Sequence, residues 1–474
     1  TAVNAAMGVG AAIELPELEW TRALVVGAGA SGLAAARLLT ALGLEVRIYD
    51  RATPSPLPAH VVAFTGAAQV PAAALEGIDL LVLSPGVPPG PVRQLQQTLA
   101  PAADVHGELS LSLAILERIH PNCPAVLITG TNGKSTVTAL LGEVFAAAGR
   151  DAFVGGNLGI PLSTRLLACL NDASKLPDTL VLECSSYQLE TLTHHPTAVA
   201  MLLNITPDHL ARYASLDAYA TTKARIFSGL GAGGLALFDA TDSYTARFRG
   251  EVPALAKTVL VDGSDSTSGQ ILGDGPGQQL RLPSGETLAR SHLQLAGRHN
   301  SKNALFVLLA ARHLGVSLAD CQRGLERFTG LAHRMVQIAE LDGIAYYNDS
   351  KATNVASVLA GLAGFPRPFV LIAGGTSKGD DYTLLRDLLA RDGRGRGLVV
   401  IGESGPAIAE ATAGVVPTLK ATSMAQAVAQ AKSLTQPGDA VVLSPACSSF
   451  DWYTNFRHRG DVFSEEVRKL ADTS

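Results

Sequence analysis

At 474 residues, with 47% hydrophobic and 17% charged residues, the chain is too long for one compact core and too apolar to be disordered. Two to four globular domains are expected, and a net charge of −5 gives no basis for nucleic-acid binding. No stretch reads as a membrane span. The five cysteines, Cys123, Cys169, Cys184, Cys321 and Cys447, include no C-x-x-C pair, which indicates neither a disulfide framework nor a zinc cluster and fits a reducing compartment. The Ala/Gly-rich start lacks a basic region and soon meets Glu14, Glu17 and Glu19, so no signal peptide is expected and the cytoplasm is the expected location.

The first domain is expected over residues 1–112, with its α/β pattern starting near residue 20. The run Arg22-Ala-Leu-Val-Val-Gly27-Ala-Gly29-Ala-Ser31-Gly32 reads as a strand entering G-x-G-x-x-G, followed by an Ala/Leu-rich helix to Leu42. A second strand, Glu45–Asp50, ends in an acid at the spacing that dinucleotide folds use for a ribose hydroxyl. A third, Leu80–Leu83, leads into Ser84-Pro85-Gly86-Val87-Pro88, another glycine loop at a strand's carboxyl end. A nucleotide or sugar nucleotide is expected across these loops.

The second domain is expected over 113–331 and holds the strongest signal in the chain. An aliphatic strand, Ala125–Ile128, runs into Thr129-Gly130-Thr131-Asn132-Gly133-Lys134-Ser135-Thr136 and then a helical pattern. Glycines let backbone N–H groups converge on phosphate oxygens, and the helix N-terminus adds partial positive charge. Lys134 can reach the β- and γ-phosphates, and the Ser135 hydroxyl can bind Mg²⁺. The full P-loop pattern calls for glycine at position 128, where Ile128 stands instead. The strand Thr179–Glu183 offers a carboxylate at its end, where such enzymes hold Mg²⁺. His209, in Asn204-Ile-Thr-Pro-Asp-His209, follows another strand and is open to a structural or a ligand role. Residues 262–292 turn Gly-, Ser- and Gln-rich with short alternating runs that predict β-hairpins. Gly297-Arg-His-Asn300 then opens an apolar helix.

The third domain is expected over 332–474. Three strand-then-loop units recur: Ile344–Asn348 into Asp349-Ser-Lys351-Ala-Thr353-Asn354, Phe369–Ala373 into Gly374-Gly-Thr-Ser-Lys378-Gly379, and Ala440–Leu443 into Ser444-Pro-Ala-Cys-Ser-Ser449-Phe450. Each puts polar, glycine or lysine residues at a strand's carboxyl end, so a second ligand is expected on this face. The whole predicts an α/β chain of three domains, Rossmann-like at both ends, with a P-loop ATPase-type, mostly parallel sheet between them. Three function classes remain open from these features: an ATP-using enzyme, an NAD(P)-dependent oxidoreductase with an appended ATPase domain, and a non-catalytic nucleotide-regulated binding protein.

Taken together, Gly130–Thr136, Glu183-Cys-Ser-Ser-Tyr-Gln-Leu189, Asn204–His209, Gly297–Asn300, Asp349–Asn354, Gly374–Gly379 and Ser444–Phe450 resemble the Mur ligases over nearly the whole chain. The related folylpolyglutamate synthases carry an additional Gly between the Lys and the Ser, which is absent here. Ala211 stands where the family has an acidic residue, and Asp381 where an aromatic is common. The resemblance implies an ATP-dependent, cytoplasmic step of peptidoglycan synthesis that joins D-glutamate to UDP-N-acetylmuramoyl-L-alanine through an acyl phosphate, carried out by a monomer with Mg²⁺.

By position, the resemblance implies that Gly130, Thr131, Asn132, Gly133, Lys134, Ser135 and Thr136, with Asn303, Arg334, Asp349 and Lys351, hold ATP. It gives Ser135, Glu183, His209 and Lys223 to magnesium, with Lys223 carbamylated by CO₂, whereas the residues alone read Lys223 as a solvated helix lysine. Ala30, Ser31, Asp50, Arg51 and Gly86 fall to the uridine diphosphate, and Asn157 and His209 to the sugar nucleotide. D-Glutamate falls to Thr353, Lys378, Ser449, Phe450 and Phe456. Closure of the third domain about a hinge near Phe328–Leu331 is expected to complete the ATP site.

Overall fold

The structure is a computed structural model that describes residues 13, 16–52, 57–193, 196–208, 212–295, 297–363, 365–377 and 379–472. Its framework is three predominantly parallel sheets. β1 (Arg22–Val26), β2 (Glu45–Asp50), β3 (Val61–Thr65), β4 (Leu80–Leu83) and β5 (Asp104–Gly107) form the first, in the order β3-β2-β1-β4-β5. Strand order reverses between β1 and β4, and a crevice opens at their carboxyl ends beside the Gly27 and Ser84–Val87 loops, which Ser84 Oγ ties together by donating to the Gly27 carbonyl at 2.7 Å. Leu80–Leu83 is buried throughout, because a parallel sheet has helices on both faces.

The second sheet runs β11-β10-β9-β6-β8-β7. Its strands are β6 (Ala125–Thr129), β7 (Ala152–Gly156), β8 (Thr179–Glu183), β9 (Thr197–Leu202), β10 (Leu230–Asp239) and β11 (Lys257–Val261). All its pairings are parallel, and β6 lies between β8 and β9. Ile128 pairs with Glu183 inside the sheet and is fully buried, so the phosphate loop here starts at Gly130, two residues later than in the full P-loop pattern. That is why no glycine is needed at position 128. The expected hairpins form a small antiparallel sheet of β12 (Gln270–Leu272), β13 (Gln279–Arg281) and β14 (Thr287–Ala289).

The third main sheet comprises β15 (Val336–Leu341), β16 (Ile344–Asn348), β17 (Phe369–Gly374), β18 (Gly395–Ile401), β19 (Thr418–Lys420) and β20 (Ala440–Leu443). Its order is β15-β16-β20-β17-β18-β19, and only the β15–β16 pairing is antiparallel. The last strand, β20, thus slots between β16 and β17 and brings the loops after all three to one edge. Arg459, 1% exposed on the closing helix Phe456–Asp472, locks two of those loops together. Its guanidinium donates to the Cys447 and Ser448 carbonyls and to Ser350 through both Oγ and O. All five cysteines are free thiols, and among the described residues no helix is long and apolar enough to cross a membrane.

Candidate active site

The phosphate loop is shaped by its glycines and clamped from the next strand. Gly130 has φ +153° and Gly133 φ +84°, both awkward for a side chain. A Cβ at Gly130 would lie 2.9 Å from Leu203 Cβ, and one at Gly133 would lie 3.0 Å from Asn303 Oδ1, so Asn303 sits against the loop. Asn204 brackets Asn132: its Oδ1 accepts from the Asn132 N–H at 2.8 Å, and its Nδ2 donates to the Asn132 carbonyl at 3.1 Å. Thr131 Oγ1 donates to the Thr206 carbonyl and accepts from the Thr206 N–H, each at 3.0 Å. Helix Lys134–Ala147 starts from Gly133 without a side-chain cap, leaving its first N–H groups facing the cleft. Lys134 Nζ donates to the Gly130 and Thr131 carbonyls at 2.7 and 2.8 Å, folded over its own loop.

Behind the loop lies an electrostatic pair of opposite sense. Glu183 is 2% exposed; its Oε1 accepts from Asn157 Nδ2 at 2.7 Å, while Oε2 is buried with no donor at hydrogen-bond distance among the described residues. Burial raises its pKa, but Lys134, Ser135 and Asn157 more than offset this, so the carboxyl stays ionised below its usual range. An ionised, dry carboxylate oxygen beside a serine hydroxyl is a donor set that fits one Mg²⁺. Lys223, from helix Leu216–Ala224, is 1% exposed and reaches Gly130 O at 2.9 Å and Thr129 Oγ1 at 3.2 Å, with its Nζ 4.8 Å from the centre of the Tyr219 ring. Burial, reinforced by Lys134, holds its amine well below the ordinary lysine value. The solvated-helix reading of Lys223 is therefore wrong: the side chain points inward, under the phosphate loop.

One cleft of about 270 Å³ gathers these groups with residues of the third sheet: Lys134, Ser135, Asn157, Glu183 and Lys223 on one wall, Arg334, Lys351 and Thr353 on the other. Ser357 Oγ donates to Asn132 Oδ1 at 2.6 Å and ties the walls together. The charges of Glu183 and Asp349 oppose the burial of the Arg334 guanidinium. Asp349 is turned into the protein, with Oδ1 accepting from the Met335 N–H at 3.1 Å and Oδ2 from Ser444 Oγ at 2.7 Å. Burial raises its pKa to about 7. Ser449 is 2% exposed beneath the same edge, whereas Phe450 is 71% exposed and is not enclosed. Phe456 heads the closing helix, its carbonyl accepting from Ser350 Oγ at 2.7 Å and its ring lying 4.3 Å from Lys351 Nζ.

A second, larger cleft of about 830 Å³ opens at the switch point of the first sheet and is lined by Gly27, Asp50, Arg51, Gly86 and Val87. Asp50 Oδ2 accepts from the Ala28 N–H at 2.7 Å and Oδ1 from the Ala52 N–H at 2.9 Å, so the carboxylate shapes the glycine loop. Ala30 and Ser31 open the helix Ala30–Ala41 and are not among the lining residues. His209 and Lys378 lie outside the described residues. Asn204's clamp, the Ser357 latch and the cleft-lining Tyr187, Asp208 and Asn354 carry no local sequence signature beyond their motifs.

Comparison with known proteins places this architecture. Residues 21–107 match the MurD-like N-terminal domain of Mur ligases, 128–311 the Mur ligase middle domain, and 333–447 the Mur ligase glutamate ligase domain. A UDP-N-acetylmuramoylalanine–D-glutamate ligase of Anaeromyxobacter dehalogenans is 40% identical over 473 residues, covering 96% of this chain and 98% of that protein. The corresponding ligase of Pelotomaculum thermopropionicum is 37% identical over 463 residues, covering 95% and 98%. Among solved structures, MurF of Acinetobacter baumannii superimposes with a TM-score of 0.59 at 19% identity, covering 94% of this chain and 90% of its own. A pseudomurein peptide ligase type C of Methanothermus fervidus gives 0.58 at 17% identity, covering 95% and 100%. The clamped phosphate loop, the buried Glu183–Lys223 pair and three matched domains lead to one assignment: the chain belongs to the Mur ligase family, in the branch of the UDP-N-acetylmuramoylalanine–D-glutamate ligases.

Proposed function

We propose that this chain joins D-glutamate to UDP-N-acetylmuramoyl-L-alanine at the expense of ATP, in the cytoplasmic assembly of peptidoglycan, and acts as a monomer. The observation that carries the reading is the shared cleft, in which a phosphate loop and the loops of a separate amino-acid domain line the same cavity. A carboxylate is a poor electrophile until its oxygen becomes a phosphate leaving group. The alanyl carboxylate attacks the γ-phosphorus of ATP, ADP departs, and the amine of D-glutamate attacks the resulting acyl phosphate. A tetrahedral intermediate then expels phosphate, and the attacking nitrogen gives up a proton.

Each step assigns work to particular residues, of which His209 and Lys378 lie outside the described ones. Backbone N–H groups of Gly130–Thr136 and Lys134 hold the β- and γ-phosphates and offset the charge that builds as two anions meet. Asn303, Arg334, Asp349 and Lys351 surround the rest of the nucleotide. Ser135 and Glu183 would hold one Mg²⁺, which when bound neutralises phosphate oxygens and orients the transferring group. Lys223, whose amine burial holds well below the ordinary lysine value, attacks the carbon of CO₂ in its neutral form and loses a proton, and the carbamate so formed is an anionic ligand suited, with His209, to a second Mg²⁺. The switch-point cleft takes the uridine diphosphate, its phosphates facing the helix that opens at Ala30 and Ser31. Asn157 and His209 reach the sugar nucleotide from the middle domain. Thr353, Lys378, Ser449, Phe450 and the backbone near Phe456 cradle D-glutamate, leaving its amine toward the acyl phosphate.

The NAD(P) reading draws on the same glycine loop, but there Asp50 already accepts two backbone N–H groups where a dinucleotide enzyme uses its acid on ribose. Phosphate release from ATP, followed with each substrate omitted in turn, is the test. Release that requires both UDP-N-acetylmuramoyl-L-alanine and D-glutamate is expected. Release indifferent to either substrate, or tight binding of NAD in the first cleft, would overturn the reading.

A further inference from the structure

Between the two clefts lies an arginine that touches both. Arg212 stands four positions after Asp208, on the segment that leads into the helix carrying Lys223. Its side chain is 14% exposed, and its partner Glu190 is 12% exposed. Nε and Nη2 grip the Glu190 carboxylate at 3.2 and 2.5 Å. Nη1 donates to the Gly86 carbonyl at 3.4 Å and Nη2 to the Val87 carbonyl at 3.2 Å. The guanidinium plane also lies 4.5 Å from the centre of the Tyr187 ring.

The two sets of contacts belong to different ligand sites. Gly86 and Val87 line the switch-point cleft of the first domain, and Tyr187 lines the cleft of the phosphate loop. Gly86 and Val87 lie more than a hundred residues from Arg212 in sequence, so the contact is made only by docking the first domain on the second. Beside it, Arg225 donates to the Glu190 and Leu192 carbonyls and so braces the segment that holds Glu190 from within the second domain. We propose that Arg212 is a positioning residue that fixes the Ser84–Val87 loop, and with it the bound sugar nucleotide, at the distance from the phosphate loop that phosphoryl transfer requires. The proposal rests on the reading of the first cleft as the sugar-nucleotide site. The fork of donors explains why arginine is needed: a lysine could hold Glu190 but could not also span two carbonyls.

Three variants separate positioning from general stability: Arg212→Met, which keeps length but no donors, Arg212→Lys, and Glu190→Gln. Calorimetry would measure UDP-N-acetylmuramoyl-L-alanine and ADP binding separately, alongside kcat, KM and thermal melting. Loss of a buried, hydrogen-bonded ion-pair partner predicts about tenfold or weaker sugar-nucleotide binding for Arg212→Met, with ADP binding within about twofold of the parent. Its kcat should fall as well, because a tilted substrate presents its carboxylate badly. Arg212→Lys should recover part of the loss, and Glu190→Gln should reproduce a milder version even if Arg212→Met fails to fold. Equal weakening of both ligands, or no change in sugar-nucleotide binding or kcat, overturns the proposal. If the parent enzyme itself does not bind the sugar nucleotide, the reading of the cleft fails first and the proposal falls with it.

Discussion

The chain contains two glycine loops of the same construction, and they are equipped for different tasks. Both follow a buried parallel strand and lead into a helix without a side-chain cap. The loop after β1 offers backbone alone, and the nearby carboxylate, Asp50, is spent on its Ala28 N–H and on the N–H of Ala52. The loop after β6 adds Lys134, a buried ionised Glu183 and a buried lysine beneath it. Backbone N–H groups suffice to hold a diphosphate that must stay intact. Transfer of a phosphoryl group needs charges that respond as bonds change, and the second loop alone supplies them.

Substitutions in the two loops should therefore fail differently. Lys134→Ala is expected to lower kcat by about 10²–10³-fold, the scale for removing one group that stabilises developing charge, with little change in sugar-nucleotide affinity. Steady-state kinetics with each substrate varied would show the asymmetry. Lys223→Ala should cost about 10²-fold in kcat, and a short carboxylic acid added in solution should restore part of it. Near-parental activity in that variant would remove Lys223 from the mechanism.

In the first loop the same kind of change acts through packing. A Cβ at Gly32 would meet the Gly27 carbonyl oxygen at 1.9 Å and Ser84 Oγ at 2.6 Å, because the helix crosses the strand end at backbone contact. Gly32→Ala should destabilise by about 3 kcal/mol and weaken sugar-nucleotide binding while leaving the binding of ADP unaltered, as calorimetry would show.

How far the two loops were readable follows from how local their chemistry is. Lys134, Ser135 and the glycines are neighbours in the chain, and Glu183 ends a recognisable strand, so the phosphate site could be drawn from the sequence. The three-domain α/β plan was equally visible, since strands alternate with helices throughout. Lys223 was misread because its helix carries no pattern that says which side faces inward; only packing under the loop reveals it. The latch from Ser357 to Asn132 spans 225 residues and depends on docking one domain against another, so no window of sequence contains it. The placement of β20 between β16 and β17 is likewise a property of the assembled sheet.

Asp349 gives a pH handle on the third domain. Its folded pKa of about 7 lies above the ordinary value of 3.8, so between these limits the folded state binds more protons than the unfolded one. Stability from this group is therefore present at low pH and is lost as pH rises toward 7. Asp349→Asn, which resembles the protonated acid, should flatten the pH dependence by at most about 2 kcal/mol between pH 5 and pH 7, measured by denaturant titration. The smallest effect is expected at Gly29, where a Cβ meets nothing within 4 Å. Gly29→Ala should change stability by less than about 0.5 kcal/mol, which contrasts directly with Gly32→Ala in the same loop.

The hydrogen bond between Ser357 and Asn132 also bears on the timing of turnover. It joins the two walls through a contact that is separate from the reacting groups, and in the proposed function nucleotide enters and leaves between those walls. A turnover that parts the walls to admit ATP and release ADP breaks this bond. Where that parting limits the rate, turnover depends on how readily two large bodies separate in a viscous medium. Thickening the solvent with sucrose should slow a fast enzyme, and weakening the latch should make it less sensitive to that drag.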